Sequence, residues 1–251
     1  MAAPSYPSFY LIGAERCGVR WLRHNLDQHP EICAPPVDVH YFAHPDLMQR
    51  RGTRWYRGQF ESWKGEAHLG EASPGYLAWG NQPRQIATRL HRAAPEARLV
   101  AILRQPLDRT RSATSRAIEV GDLAPLRPDG TVDPVSLEPR LLELVRGGVY
   151  TPNLAPYLEL FGDQLQILLY DDLVEDPAGL YRAVLAHLGA DESFVPPEVE
   201  RVRYQGRGPQ LDPGSVEERA AWYEQLRGGV DELAQWLGRD LSFWDPAVSG
   251  V

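Results

Sequence analysis

Two stretches of the chain join a strand-like run to an arginine, a turn and a helix start, a combination suited to holding anions. The first is Phe9-Tyr-Leu-Ile-Gly13-Ala-Glu-Arg16-Cys-Gly18-Val-Arg20-Trp-Leu22. Phe9 to Ile12 suits a buried strand, Gly13 opens a loop with Arg16 as its cation, and an apolar-periodic stretch begins after Gly18. Such a loop turns backbone N–H groups and the positive end of a helix toward a phosphate or sulfate. Four residues separate Gly13 from Gly18, as in the phosphate loop G-x-x-x-x-G-K-[ST]. Val19 and Arg20, however, stand where that motif needs lysine and a hydroxyl residue. Cys17, inside the loop, is either a reactive thiol or a small filler.

The second stretch is Leu99-Val-Ala-Ile-Leu-Arg104-Gln-Pro106-Leu-Asp-Arg109-Thr-Arg-Ser112. Arg104 follows the strand-like run, at the usual ligand edge of an open α/β sheet. An arginine fork with a nearby hydroxyl, here Ser112, suits a phosphate monoester dianion. Arg109, Arg111 and Arg116 fit a solvated helix face equally well. Two anion sites at strand ends of one sheet suggest a ligand with two phosphate-like groups.

The elements that must position these residues follow from hydrophobic patterning. Phe9–Ile12, His68–Ala72, Arg98–Leu103 and Gln164–Tyr170 read as short strands, three of them near-continuous apolar runs that suit a parallel sheet covered on both faces. Helical patterns lie between them: Trp21–Leu26, Gln82–Ala93, Leu107–Glu119 and Asn153–Phe161. Asp176-Pro177 and Gly189 bracket another helix. Ser215 with Glu218 forms a capping-box pattern, and Gly228-Gly229 is expected to break the segment that follows. The stretches from Gly121 to Pro134 and from Pro196 to Pro213 read as loops. Strands alternating with helices predict an α/β fold with a central, mainly parallel sheet flanked by helices. No linker or repeat is visible, so a single domain over 8–245 is expected.

Composition narrows the function classes. The chain has 251 residues and a net charge of −8, which disfavours nucleic acid as a partner. Lysine plus arginine number 26, and Lys64 is the only lysine, so cationic work falls almost entirely to arginine. No apolar run approaches the length of a membrane span, and no secretory signal pattern opens the sequence. The two cysteines, Cys17 and Cys33, make no disulfide framework. No membrane partner and a cytoplasmic setting are the expectations. There is no Cys/His cluster, so no metal is expected.

Set together, these segments resemble the sulfotransferases that use PAPS (3′-phosphoadenosine 5′-phosphosulfate). The first loop is similar to that family's 5′-phosphosulfate loop, G-x-x-K-x-G-T-[TS]-x-L. Arg104, Pro106, Arg109 and Ser112 match its 3′-phosphate motif, R-x-P-x-x-R-x-x-S. Pro35-Pro-Val-Asp38-Val-His40-Tyr-Phe42 resembles its P-P-x-K-E-x-H-F-F segment, and Gly70-Glu-Ala-Ser73-Pro74-Gly-Tyr76 its G-E-[AK]-S-P-x-Y segment. Gly148-Val-Tyr150, Tyr170-Asp-Asp-Leu173 and Gly238-Arg-Asp-Leu-Ser-Phe-Trp244 resemble its G-x-Y, Y-E-D-L and C-terminal segments. The resemblance runs from Phe9 to Trp244 in the family's order, and is nearest to the carbohydrate-type and bacterial branch.

The resemblance implies a P-loop-like sulfotransferase fold and transfer of a sulfuryl group from PAPS to a hydroxyl of a small-molecule or glycan acceptor, leaving PAP, as in a bacterial tailoring enzyme. It implies that Arg16 and the backbone of Cys17, Gly18, Val19, Arg20 and Trp21 hold the 5′-phosphosulfate. Arg104 and Ser112 would hold the 3′-phosphate, with Tyr150, Arg207 and Gly208 as further donor contacts. Asp38 stands at the family's base and His40 is a second candidate, both also touching the acceptor. Ser73 and Tyr76 are further expected contacts, and Trp55, Tyr56, Trp63 and Trp79 could line an acceptor pocket or pack in the core. The departures are Arg16 for lysine, Val19 and Arg20 for two hydroxyl residues, Val37 for a second lysine and Asp38 for glutamate. They keep a non-catalytic PAP- or PAPS-binding module open as the alternative. A nucleotide-dependent kinase and an interaction domain without ligand follow behind. The acceptor and the oligomeric state are not legible.

Overall fold

The computed structural model describes residues 4–36, 38–78, 80, 82–123, 144–201 and 215–249. Five parallel strands form one sheet: β1 (Phe9–Gly13), β2 (Ile32–Cys33), β3 (His68–Ala72), β4 (Arg98–Leu103) and β5 (Leu165–Leu169), in the order β2-β3-β1-β4-β5. Their register runs Phe9↔Gly70 and Phe9↔Arg98 across the centre and Leu103↔Leu169 toward the edge. β1 and β4 are interior strands whose apolar side chains are buried on both faces, which is why they read as unbroken apolar runs. The four expected strands are present. β2, with two residues, is too short to leave a periodic signal.

The helices are α1 (Val19–Leu26), α2 (Pro45–Arg57), α3 (Pro83–Ala93), α4 (Pro106–Glu119), α5 (Tyr150–Phe161), α6 (Tyr170–Glu175), α7 (Pro177–Leu188), α8 (Val216–Glu224) and α9 (Arg227–Leu237). Proline opens α2, α3, α4 and α7, where its missing N–H costs nothing and its fixed φ is already helical. The capping box of Ser215 and Glu218 forms as expected. The break after it falls at Gln225–Leu226, while Gly228 and Gly229 lie inside the first turn of α9. α2 was not expected, because its exposed arginines leave Tyr56 as its one buried side chain. Among the described residues no helix is long and apolar enough to cross a membrane.

Contacts divide the chain into two compact units, Met1–Leu103 with Asn153–Tyr204, and Arg104–Pro152 with Gln205–Val251. The sequence led us to expect one domain, because each unit is assembled from separated pieces and no linker marks their boundary. The first unit holds the sheet. Within it, β1 continues to β2 and β3 on one side while β4 continues to β5 on the other. The strand order therefore reverses between β1 and β4, the place where open α/β sheets bind ligands beyond the strands' carboxyl ends. The second unit has its own apolar cluster of Ala113, Ala117, Leu123 and Leu144.

Candidate active site

The first loop leaves β1 at this reversal. The Ala14 N–H donates to the Ile102 carbonyl of β4 at 2.8 Å, and the Cys17 N–H to the Ala14 carbonyl at 3.3 Å. Arg16 has φ 70° and Gly18 φ 94°, so the chain turns twice through the left-handed region before α1 begins. Gly18 is required on two counts, since a Cβ there would also sit 2.5 Å from Leu173 Cδ2 of α6. A Cβ on Gly13 would meet Leu77 Cβ at 2.7 Å. Gly18 caps α1 without a side chain, so no cap side chain competes with an anion for the first-turn N–H groups.

Arg16 is half-buried, Val19 buried and Arg20 exposed. Val19 thus turns its side chain into the core rather than taking the place of a hydroxyl. Cys17 is fully buried, with Sγ 3.6 Å from the Glu15 carbonyl, and fills the loop as a small core residue. Trp21 is buried too, and its indole N–H donates to the Val199 carbonyl at 3.0 Å. With the Cys17 N–H taken by Ala14, only the backbones of Val19 and Trp21, not their side chains, are placed to serve an anion.

Asp38 and His40 lie on a strap held at both ends. At its start, the two backbone groups of Ala34 are taken by α1: Arg23 Nη1 donates to the carbonyl at 2.9 Å, and the N–H donates to Asp27 Oδ1 at 2.9 Å. At its end, the His40 N–H donates to Ser73 Oγ at 3.0 Å and the Phe42 N–H to Tyr76 Oη at 3.2 Å. Arg89 of α3 holds the Phe42 carbonyl at 2.8 Å. Between these anchors Asp38 is exposed and His40 half-buried. His40 has φ 48° and ψ 27°, a conformation that costs a non-glycine residue on the order of 1 kcal/mol or more, so the anchors must hold it there.

Burial pushes the His40 imidazole below its ordinary value, while the charges of Asp38 and Glu15 pull it back up. His40 is therefore predominantly neutral near pH 7, the form a general base requires. Asp38 and Glu15 lie close enough to act on it electrostatically.

Behind the strap sits Glu71, a fully buried carboxyl on β3. Ser73 Oγ donates to its Oε1 at 2.5 Å and Tyr76 Oη to the same oxygen at 2.6 Å, while Tyr56 of α2 donates to Oε2. Burial raises the Glu71 carboxyl above its usual range; the three hydroxyls oppose that shift and the Asp38 charge adds to it. The same burial, with Glu71 beside them, drives the Tyr10, Tyr56 and Tyr76 phenols up. Ser73 and Tyr76, which the resemblance makes contacts of donor or acceptor, are each 0% exposed, with the hydroxyl bonded to Glu71 and to the strap. Tyr56 is likewise core, stacked on Tyr41 at 4.4 Å, whereas Trp55 and Trp63 are half-buried.

In the second unit, Arg104 begins where β4 ends. Tyr150 Oη bridges its backbone, accepting from the N–H at 3.3 Å and donating to the carbonyl at 2.6 Å. Tyr150, expected as a donor contact, is 3% exposed, and its hydroxyl sets the Arg104 backbone. Gln105 caps α4 by accepting from the Asp108 N–H at 2.7 Å, and its amide donates to the Trp244 carbonyl at 2.9 Å. The Arg104 guanidinium lies 3.8 Å from Asp108, which also pairs with Arg111 at 3.1 Å. Ser112 is half-buried, one turn beyond Asp108 on the same helix face. Arg109 is not on a solvated face. It is 3% exposed and donates to the Leu144 carbonyl, and a Cβ on Gly147 would lie 2.4 Å from its Nη1.

Val37, Trp79, Arg207 and Gly208 lie outside the described residues. Among the described residues no group of three or more His, Cys, Asp or Glu is arranged to hold a metal ion. The residues missed by sequence reasoning are Glu71, Arg23, Asp27 and Arg89. Glu71 alone left a signal: an acidic residue inside an otherwise buried strand, with hydroxyl residues two and five positions on.

No family model matches the chain. Mouse heparan sulfate glucosamine 3-O-sulfotransferase 6 is 29% identical over 194 residues, covering 73% of this chain and 52% of that protein. The chain spans about half the length of the curated relatives it matches. The crystal structure of a sulfotransferase from Alicyclobacillus acidocaldarius aligns with TM-score 0.74 and 27% identity over 95% of this chain and 98% of that one. A sulfotransferase domain from the curacin biosynthetic pathway shares the fold, with TM-score 0.56 and 15% identity over 94% of this chain and 99% of that one.

Proposed function

We propose, from the premise that this chain belongs to the sulfotransferase family, that it transfers a sulfuryl group from PAPS to a hydroxyl of a glycan or small-molecule acceptor. The observation that carries the reading is the cradle after β1. A side-chain-free cap on α1, an arginine in the loop and the reversal of strand order coincide there. That donor set fits a phosphosulfate: backbone N–H groups and a guanidinium supply hydrogen bonds and charge without a metal.

When bound, PAPS supplies an activated sulfuryl group with a phosphate leaving group. The chain's own part is to orient and to move one proton. Arg16 and the N–H groups at the start of α1 balance negative charge that grows on the leaving phosphate oxygen. Asp38 is the proposed base for the acceptor hydroxyl, with His40, close enough to feel its charge, as the second candidate. In the second unit, Arg104 with Ser112 is the proposed holder of the 3′-phosphate. The acceptor O–S bond forms as the S–O bond to the leaving phosphate breaks, so positioning and charge stabilisation carry most of the rate.

The buried Val19 and exposed Arg20 favour one other reading, a module that binds PAP without turnover. A PAPS screen against hydroxylated metabolites and sugars, read by PAP release alongside PAP calorimetry, separates the two. Acceptor-dependent release supports transfer. PAP binding without release on any acceptor supports the module, and no PAP binding defeats both.

A further inference from the structure

We infer that Glu71 is a positioning residue: one oxygen of its buried carboxyl, acting through the hydroxyls of Ser73 and Tyr76, fixes the backbone of the strap that carries Asp38 and His40. Its bearing on sulfuryl transfer rests on the functional reading above, whereas the strut itself stands on geometry alone.

A peptide N–H can only donate. The His40 N–H donates to Ser73 Oγ, and the Ser73 hydroxyl donates in turn to Glu71 Oε1. The Phe42 N–H donates to Tyr76 Oη, and the Tyr76 phenol donates to the same Oε1. Two relays thus run from one oxygen to residues 40 and 42. A group at that position serves both only if it presents an acceptor oxygen there, because each relay ends on an acceptor.

The second oxygen has a different task. Oε2 receives Tyr56 Oη, which lies 3.5 Å from Tyr10 Oη and can donate there instead. A proton on Glu71 is therefore compatible only with Oε2, with Tyr56 turned toward Tyr10. Oε1 accepts twice whether or not the carboxyl is charged. The strap consequently needs a carbonyl-type oxygen at Oε1, not a negative charge. A glutamine meets that need, with its NH2 donating to Tyr56 in place of Oε2 accepting from it.

The geometry gives this arrangement a purpose beyond filling the core. Arg23 and Asp27 fix the strap at Ala34 from α1, and Glu71 fixes it at His40 and Phe42 from β3. His40 sits in a left-handed conformation where the strap turns into the helical turn Tyr41–Ala43. Releasing the second anchor frees both candidate bases, while the cradle after β1 keeps its own supports, the Ala14–Ile102 bond and the packing of Leu173.

The test compares Glu71→Ala with Glu71→Gln in the full chain. It reads amide hydrogen exchange at His40 and Phe42, PAP affinity by calorimetry, and PAPS turnover with an acceptor found in the screen. Glu71→Ala is expected to speed exchange at both amides by about tenfold or more and to lower turnover roughly a hundredfold, with PAP affinity held within about threefold. Glu71→Gln is expected to stay within about threefold of wild type in all three. Ser73→Ala and Tyr76→Phe cut one relay each and should release only the His40 or only the Phe42 amide, so the strut remains testable if Glu71→Ala does not fold. Glutamine behaving like alanine, unchanged exchange in Glu71→Ala, or PAP affinity falling together with turnover would overturn the assignment. A wild-type protein that binds no PAP would refute the sulfotransferase reading and the role in transfer with it, and the exchange data would then judge the strut by itself.

Discussion

Gly18→Ala probes whether the cradle depends on one backbone conformation. Gly18 has φ 94° and ψ 0°. An L-residue held in the left-handed region costs about 1–2 kcal/mol. The added Cβ would lie 2.5 Å from Leu173 Cδ2, and Leu173 is 1% exposed, so it has little room to withdraw. Overpacking of this kind costs about 1–3 kcal/mol. The two together give a loss of roughly 2–5 kcal/mol, a large share of the ~5–15 kcal/mol that folded domains possess. Urea denaturation measures it, and calorimetry with PAP should show weakened binding because the start of α1 has moved. Leu173→Ala removes the clash at its own cost of about 2–5 kcal/mol. The double variant should then be less damaged than the sum of the singles, by about 1–3 kcal/mol. A Gly18→Ala protein within about 0.5 kcal/mol of wild type, or strict additivity in the cycle, would refute the conformational argument.

Replacing Arg16 by alanine should abolish PAP release, whereas lysine, which keeps the charge but not the fork, should retain part of it; an alanine variant as active as wild type would remove Arg16 from the mechanism. Asp38→Asn should lower turnover far more than PAP affinity, and a collapse of PAP binding instead would displace Asp38 as base. If His40 is the base, burial keeps it neutral below its ordinary value of 6.5, so the acid limb of the kcat/KM profile, which reports the free enzyme, should fall below that pH; a limb above it would exclude His40. Glu71 bears on stability with the opposite sign. Its raised carboxyl holds a proton more tightly folded than unfolded, so its contribution is fully present below pH 4.5 and is lost as pH rises through the folded value, with Tyr10, Tyr56, Tyr76 and Asp38 as the charged or titratable groups around it. The urea stability of wild type should therefore fall relative to Glu71→Gln between pH 4.5 and 7, and a constant difference would contradict the shift.

Much of the framework was legible because it rests on local chemistry. Proline and Asp176 mark the start of α7 and Gly189 its end, with Asp176 accepting from the Gly179 N–H at 2.8 Å. β1 and β4 announced themselves by unbroken apolar runs, since both faces are covered. β2 and α2 escaped for the converse reason: two residues carry no period, and a helix that buries one side chain shows no apolar stripe.

The sequence by itself determined which residues bring chemistry: the glycines that let the first loop turn, the arginines that replace lysine, and the carboxylate and imidazole of Asp38 and His40. Their order along the chain was enough to reveal the resemblance to sulfotransferases. Only the tertiary structure decided which of them are buried and with what partners. Ser73, Tyr76 and Tyr150, expected contacts, and Arg109, which suited a solvated face, are all buried, and a buried polar group must satisfy its own hydrogen bonds with partners the fold supplies. The same rule made Glu71, an acid in a buried strand, the anchor of the strap: Ser73 and Tyr76 follow it closely in sequence, but Tyr56 of α2 and the strap's His40 and Phe42 are brought to this cluster only by the fold.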